Sequence, residues 1–317
     1  MSTSILITGA NGFLGNSIFK YLLKKKFNVT GIVRNKQFYC KNTNIKIIKE
    51  INNYGNWKNY LKNIDIVIHT AGLAGSNNNF SKNWQNLYAI NVLSTINLAN
   101  EAVKSGVKKF IYLSSAQVHG EISDFNKCID VNSPYNPQSD YALSKVEAEK
   151  GLDILRRKSN MDIVILRPPL VYGYGTKSNF SKLIDLIKQE KYLPFKLVKK
   201  NKMSFISLEN LNDFIYTCIN RHESMNCDFL LRDPTLVSTT FLIEEIAFAF
   251  NCKPKLFPVP IKLLRLLSIL FNARRPIKQL TSNFEIDIAF AQKKLNWKPK
   301  FTLRNGLLKM RNELQEK

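Results

Sequence analysis

The chain has 317 residues, 44% of them hydrophobic and 22% charged, which suits a globular protein with a sizeable core and excludes the disordered and fibrous classes. Its 47 basic residues outnumber 24 acidic ones, a net charge of +23. The lysines fall in short runs such as Lys24-Lys25-Lys26, Lys108-Lys109 and Lys199-Lys200, so the charge reads as a diffuse field that draws in an anionic substrate rather than a nucleic-acid stripe.

In chain order, Ser4–Thr8 reads as a strand, Asn16–Lys25 as a helix, and Asn28–Val33 and Ile45–Lys49 as further strands. Ile64–His69 is the fourth strand, Asn86–Ser105 a long helix, Lys109–Ser114 the fifth strand, Asp140–Lys158 a helix and Asp162–Arg167 the sixth strand. Apolar strands alternating with helices predict an α/β fold, a doubly wound parallel sheet of Rossmann-like type. Pro168-Pro169, Gly173 and Gly175 break this rhythm, and a helix at Phe180–Lys191, a strand at Phe205–Leu208 and a helix at Asn210–Asn220 follow. The expected division is a first domain over 1–168, with 204–235 returning to it, and a smaller C-terminal lobe over 169–203 and 236–317. Gly75 to Phe80 reads as a loop near the site. The apolar stretch Ile261 to Phe271 is too short to span a bilayer and reads as a buried helix, a membrane-surface helix being the alternative. Five separated cysteines without a C-x-x-C pair, and an N-terminus without a signal-peptide pattern, predict a cytoplasmic protein with no disulfide framework and no metal site.

The glycines of Thr8-Gly9-Ala10-Asn11-Gly12-Phe13-Leu14-Gly15 sit between a strand and a helix, the context in which backbone can approach a pyrophosphate at a helix N-terminus. The chain is therefore expected to bind a dinucleotide through Gly9, Asn11, Gly12, Phe13, Leu14 and Gly15. The second strand ends on Arg34 with no acid beside it, which favours the 2′-phosphate of NADP(H), NAD(H) remaining possible. Tyr141 and Lys145 lie one helical turn apart, so the lysine can stabilise a phenolate, and Ser115 after the fifth strand can bond the same substrate oxygen.

Taken together, TGANGFLG at 8–15, DIVIHTAG at 65–72, LSSAQVHG at 113–120, YALSK at 141–145, LRPPLVYG at 166–173 and LNWKP at 295–299 give a resemblance that runs the length of the chain. It resembles the extended short-chain dehydrogenase/reductases of the NAD-dependent epimerase/dehydratase family. The resemblance implies Ser115, Tyr141 and Lys145 as the catalytic trio, with Asn91 in a proton relay. It also implies Ala71 and Pro168 against the cofactor, and a C-terminal lobe that binds a UDP-linked sugar through Asn179, Lys202, Arg275 and Gln117. A homodimer through the helices at 86–105 and 140–158 is expected on the same ground, with no transmembrane segment and no nucleic-acid partner. Ala116-Gln117 stand where family dehydratases carry an acidic pair, which argues against dehydration. His119 reads as a structural loop residue. Within the family the words around Ser115, Leu166–Gly173 and Leu263–Phe271 are most similar to UDP-4-keto-6-deoxy-sugar reductases of polysaccharide and O-antigen synthesis. The alternatives are a UDP-hexose or UDP-N-acetylhexosamine 4-epimerase with bound NAD, reduction of a non-sugar ketone, and a non-catalytic binding module with the same fold.

Overall fold

The computed structural model describes residues 3–34, 44–47, 57–73, 83–124, 127–221, 223, 225–270 and 273–316. Its central elements arise where aliphatic residues are apolar on both strand faces: β1 (Ser4–Thr8) is followed by α1 (Phe13–Lys24), β2 (Asn28–Val33), β3 (Ile45–Ile47), α2 (Lys58–Leu61) and β4 (Ile66–His69). Then come α3 (Trp84–Leu87), a π-helical turn (Tyr88–Leu93), α4 (Ser94–Lys104), β5 (Lys109–Leu113), a 3₁₀ turn (Ala116–His119), α5 (Asp140–Lys158) and β6 (Asp162–Arg167). The remainder is β7 (Leu170–Tyr172), α6 (Asn179–Lys188), β8 (Phe205–Ser207), α7 (Leu208–Asn220), β9 (Asp228–Leu230), α8 (Thr239–Ala249), α9 (Ile261–Leu270), α10 (Arg274–Thr281), α11 (Ala289–Leu295) and α12 (Leu303–Gln315).

The strands form a seven-stranded sheet in the order β3-β2-β1-β4-β5-β6-β9, with β7 and β8 paired separately. The β1–β2, β1–β4, β4–β5 and β5–β6 pairs are all parallel. Chain order reverses between β1 and β4, the switch point outside whose strand ends doubly wound folds bind ligands. Register sets Thr8 opposite His69, His69 opposite Tyr112 and Tyr112 opposite Ile165, so the C-terminal ends of four strands come level.

Two compact units divide the chain. The first comprises Met1–Gly120, Pro134–Arg167 and Asn212–Phe229, and the second Glu121–Ser133, Pro168–Leu211 and Leu230–Lys317. One core of the first unit sets Leu6, Val67, Phe110 and Ile163 of the sheet against Leu98 and Ala102 of α4 and Leu152 of α5. The core of the second gathers Tyr172, Phe180, Phe205, Ile243 and Leu307. Within it the Tyr172 hydroxyl donates to Asp233 Oδ2 at 2.6 Å.

Several boundaries differ from the sequence reading. The helix expected over Asn86–Ser105 is interrupted by the π turn at Tyr88–Leu93, which the apolar periodicity does not reveal. β4 begins at Ile66, and the Asp65 carboxylate before it accepts from the Ser4 amide of β1 at 3.0 Å. The apolar helix α9, expected to be buried, buries only Leu264 and Ser268. Residues 75–80, Cys40, and the ends of the expected third strand and of the 261–271 stretch lie outside the described residues.

The turn after β1 depends on missing side chains. Gly9 has φ +67°, and a Cβ on it would sit 2.9 Å from the Ala71 backbone; a Cβ on Gly15 would sit 2.2 Å from the Gly9 carbonyl oxygen. Both clashes are with backbone, so neither is relieved by a rotamer change. Gly15→Ala is expected to cost about 1–3 kcal/mol, the usual range for overpacking. Urea unfolding measures it, and an unchanged midpoint would contradict the packing described.

Candidate functional site

Gly12 caps α1 without a side-chain hydrogen bond, and no acid lies in the first turn. The first helical bond runs from Asn16 N to Gly12 O at 2.9 Å. The amides of Phe13, Leu14 and Gly15 therefore lack an intrahelical acceptor and carry the positive end of the helix dipole. Asn11 and Gly12 are exposed beside them. Turn, amides and switch point together fit the pyrophosphate of a dinucleotide. Arg34 is exposed immediately after β2, and Pro168 is buried immediately after β6.

The ends of β1 and β4 are joined by polar side chains. Thr70 Oγ1 donates to Thr8 O at 2.7 Å, and the Ala71 amide donates to Thr8 Oγ1 at 3.4 Å. His69 is buried between two threonines, with Nδ1 2.6 Å from Thr8 Oγ1 and Nε2 2.9 Å from Thr95 Oγ1. Because Thr95 already donates to Asn91 O at 2.8 Å, it accepts from His69 Nε2–H, and Nδ1 accepts from Thr8. Burial, followed by the nearby charge of Lys145, holds His69 down at about 3, so the ring is neutral.

Asn91 occupies the π turn and is buried. Its Oδ1 accepts from the Leu73 amide at 2.7 Å, while Nδ2 donates to Leu73 O at 3.0 Å and to Ser144 Oγ at 2.9 Å. These bonds tie the loop after β4 to α5. A Cβ on Gly72 would meet Asn91 Oδ1 at 3.0 Å and Lys145 Nζ at 3.8 Å, so the loop passes close to both side chains.

Ser115 follows β5 in extended conformation and accepts from the Gln117 amide at 3.2 Å, opening the 3₁₀ turn. Tyr141 opens α5, whose Ser139 cap accepts from Ala142 N. Lys145, one turn on, is buried and donates to Leu113 O at 2.8 Å, with its ammonium 4.6 Å from the centre of the Tyr112 ring and 5.9 Å from that of Tyr141. Burial lowers Lys145 to about 8, the charge of Glu149 opposing. Burial also pushes the Tyr141 phenol up to about 12, its hydrogen bond with Ser115 pulling the other way. The sequence reading expects Lys145 to lower the phenol. In the protein itself desolvation is the larger effect, and the lysine directs its hydrogen bond to Leu113 instead.

Behind this trio lies a network that the motif reading does not contain. Glu149, one turn beyond Lys145, is fully buried and accepts from Ser114 Oγ, from the Tyr135 hydroxyl at 2.8 Å and from Arg167 Nη2 at 2.7 Å. Arg167 Nη2 also reaches Asp228 Oδ2 at 2.6 Å. Burial opposes the guanidinium charge, but Glu149 and Asp228 outweigh it and raise the Arg167 pKa. His119 stacks on Tyr135 at 5.9 Å, with Nδ1 3.2 Å from Pro134 O and Nε2 3.3 Å from Arg167 Nη1. An acid at the i+4 position after Lys145 and an arginine closing β6 were the sequence signals available for this pair.

The four residues expected to face the sugar nucleotide fall in both units. Gln117 lies in the 3₁₀ turn, and Asn179 is exposed as the first residue of α6. Lys202 pairs with Glu285 at 3.0 Å. Arg275 pairs with Glu121, which also accepts from Gln279 at 3.3 Å. Within the second unit, each cation expected to hold a diphosphate is thus already matched by a carboxylate.

Residues 5–228 match the model of the NAD dependent epimerase/dehydratase family. The UDP-glucose 4-epimerase of Vibrio cholerae is 37% identical over 311 residues, 96% of this chain and 94% of that protein. Among solved structures, UDP-N-acetylglucosamine 4-epimerase from Bacillus cereus superposes with a TM-score of 0.80 at 16% identity, over 99% of this chain and 97% of that one. MoeE5 in complex with UDP-glucuronic acid and NAD superposes with a TM-score of 0.79 at 21% identity, over 99% of both chains. At these identities the structural likeness is one of fold.

The neutral, buried His69 makes stability depend on pH. An unfolded histidine titrates near ~6.5 and binds a proton that folded His69 refuses down to about 3. Stability therefore falls as pH drops from about 6.5 towards 3, by roughly 1.4 kcal/mol per unit. Urea unfolding at about pH 7 and about pH 5 should show His69→Gln losing about 2 kcal/mol less than the unsubstituted protein between them. Equal losses would contradict a buried neutral ring.

Proposed function

The chain belongs to the NAD-dependent epimerase/dehydratase family, and we propose that it inverts the configuration at C4 of a UDP-hexose or UDP-N-acetylhexosamine, with NAD held through the cycle. The observation that carries this reading is Tyr141 in hydrogen bond with Ser115, one turn from buried Lys145, in a chain 37% identical to a UDP-glucose 4-epimerase over nearly its whole length. MoeE5, bound to UDP-glucuronic acid and NAD, supports the same substrate and cofactor classes.

A dinucleotide would be held by the glycine turn and the amides of Phe13, Leu14 and Gly15, and when oxidised it would supply a hydride acceptor and a positive charge. Tyr141, acting as the phenolate, takes the proton of the C4 hydroxyl as the carbonyl forms and returns it when the hydroxyl is rebuilt on the opposite face, so it ends each turn as the phenolate it began. Ser115 bonds the same oxygen and steadies both states. Lys145, its hydrogen bond directed to Leu113 O and its ammonium 5.9 Å from the centre of the Tyr141 ring, offsets part of the desolvation that raises the phenol. Asn91, whose amide is engaged with Leu73 and Ser144, holds the loop against α5 and positions Lys145. Ala116-Gln117 offer no carboxyl group to eliminate water, which leaves redox at C4 as the reaction.

Arg34 supports a second reading, NADPH-dependent reduction of a UDP-4-keto-6-deoxy sugar for polysaccharide synthesis, since it is exposed where a 2′-phosphate would be read. The two readings part on the need for reductant. Purified protein is expected to interconvert UDP-glucose with UDP-galactose, or UDP-N-acetylglucosamine with UDP-N-acetylgalactosamine, without added NADPH. Inertness on all four, with NADPH consumed by a 4-keto sugar, would overturn the epimerase. Tyr141→Phe should lower turnover ~10²–10⁴-fold, the usual contribution of one general acid–base group, while dinucleotide stays bound. Turnover near that of the unsubstituted protein would remove Tyr141 from the chemistry.

A further inference from the structure

Helix α9 places Leu263, Leu266, Leu267 and Leu270 at i, i+3, i+4 and i+7, a stripe along one face. That stripe is open to solvent: the four leucines are 44%, 62%, 36% and 78% exposed, and Ile269 beside them is 58% exposed. The opposite face holds the helix in place. Leu264 and Ser268 are buried there, Leu264 joins the core of the second unit, and the Arg265 guanidinium bonds Thr281 O at 3.0 Å and Ser282 Oγ at 3.2 Å. The helix is therefore anchored by one side and carries on the other an exposed apolar stripe.

The charge around the stripe is one-sided. Residues 246–284 hold seven lysines and arginines and no Asp or Glu. On α9 and α10 these are Lys262, Arg265, Arg274, Arg275 and Lys278. Carboxylates from elsewhere in the second unit reach two of the seven, Glu121 to Arg275 and Glu190 to Lys255 at 2.9 Å. A second copy of this chain docked stripe to stripe would bring two such cationic surfaces together, which like-charge repulsion opposes. A surface that is apolar within and anionic at its rim satisfies both features.

We propose that α9 is an interfacial helix that seats the protein on an anionic lipid surface. Its ten residues are about 15 Å long, far too short to cross a bilayer, and no described helix is long and apolar enough to do so. Lying in the plane of the headgroups, it buries the leucine stripe among acyl chains while the flanking lysines and arginines meet lipid phosphates. The net charge of +23 adds long-range attraction that salt screens.

The test is flotation of the full chain with vesicles of phosphatidylglycerol and phosphatidylcholine, against vesicles of phosphatidylcholine alone. Binding is expected to the anionic vesicles, weakened by salt, and to fall about tenfold or more in Leu266→Glu/Leu270→Glu, with melting temperature and C4 interconversion unchanged. The milder Leu266→Ser/Leu270→Ser should fall between the two. Failure of the unsubstituted protein to float with anionic vesicles overturns the proposal. So does equal flotation of the glutamate variant, or a stable dimer that this variant dissolves while no vesicle binding is seen.

Discussion

An ammonium group taken out of water is the constraint around which the site is arranged. Lys145 is buried between the rings of Tyr112 and Tyr141, and a lone charge there is expensive unless something answers it. Leu113 O accepts its hydrogen bond, Tyr112 offers the face of its ring, and Glu149 one turn further supplies opposite charge. Glu149 is itself fully buried and is held by Arg167, Tyr135 and Ser114. The chain of compensation thus runs from Lys145 through Glu149 and Arg167 to Asp228. Broken at Glu149, it would leave the buried Arg167 with Asp228 as its remaining carboxylate in this chain of pairs.

The same ammonium bears on features further off. Burial keeps His69 neutral, the Lys145 charge adds to that effect, and the two threonines bond the ring in its neutral form. A Cβ at Gly72 would press on the Asn91 amide, which is held by its bonds to Leu73 and Ser144. The π turn brings Asn91 to bear on that loop and on Ser144 of the lysine's own helix. Under the proposed mechanism a site held this way is prepared before substrate arrives, so little reorganisation would accompany proton transfer at Tyr141.

Much of the fold could be read from the sequence because the strands announce themselves: β1, β2 and β6 are runs of aliphatic residues with turn signals at their ends. Helix α5 was equally legible from Ser139 at its cap to the basic residues of its last turn. What stayed hidden depends on contacts distant along the chain. Asn91 sits in an unbroken helical pattern, and only its bonds to Leu73 and Ser144 show why a π turn is kept there. Glu149 and Arg167 look like ordinary helix and strand-end charges until burial removes water from both. Lys202 and Arg275 looked available to a diphosphate, whereas their partners Glu285 and Glu121 lie 83 and 154 residues away. Helix α9 misled in the opposite sense, since leucine-rich composition signals burial and cannot tell which face the protein leaves uncovered.

The central claim is that hydride leaves and returns to the same sugar carbon within one protein-held cycle. Deuterium placed at C4 of UDP-glucose or UDP-N-acetylglucosamine follows that hydride directly. Mass spectrometry of the epimer formed by the purified protein, without added cofactor, is predicted to find the deuterium still at C4. An epimer carrying protium at C4, or deuterium recovered in a dinucleotide released to solution, would contradict the proposed inversion.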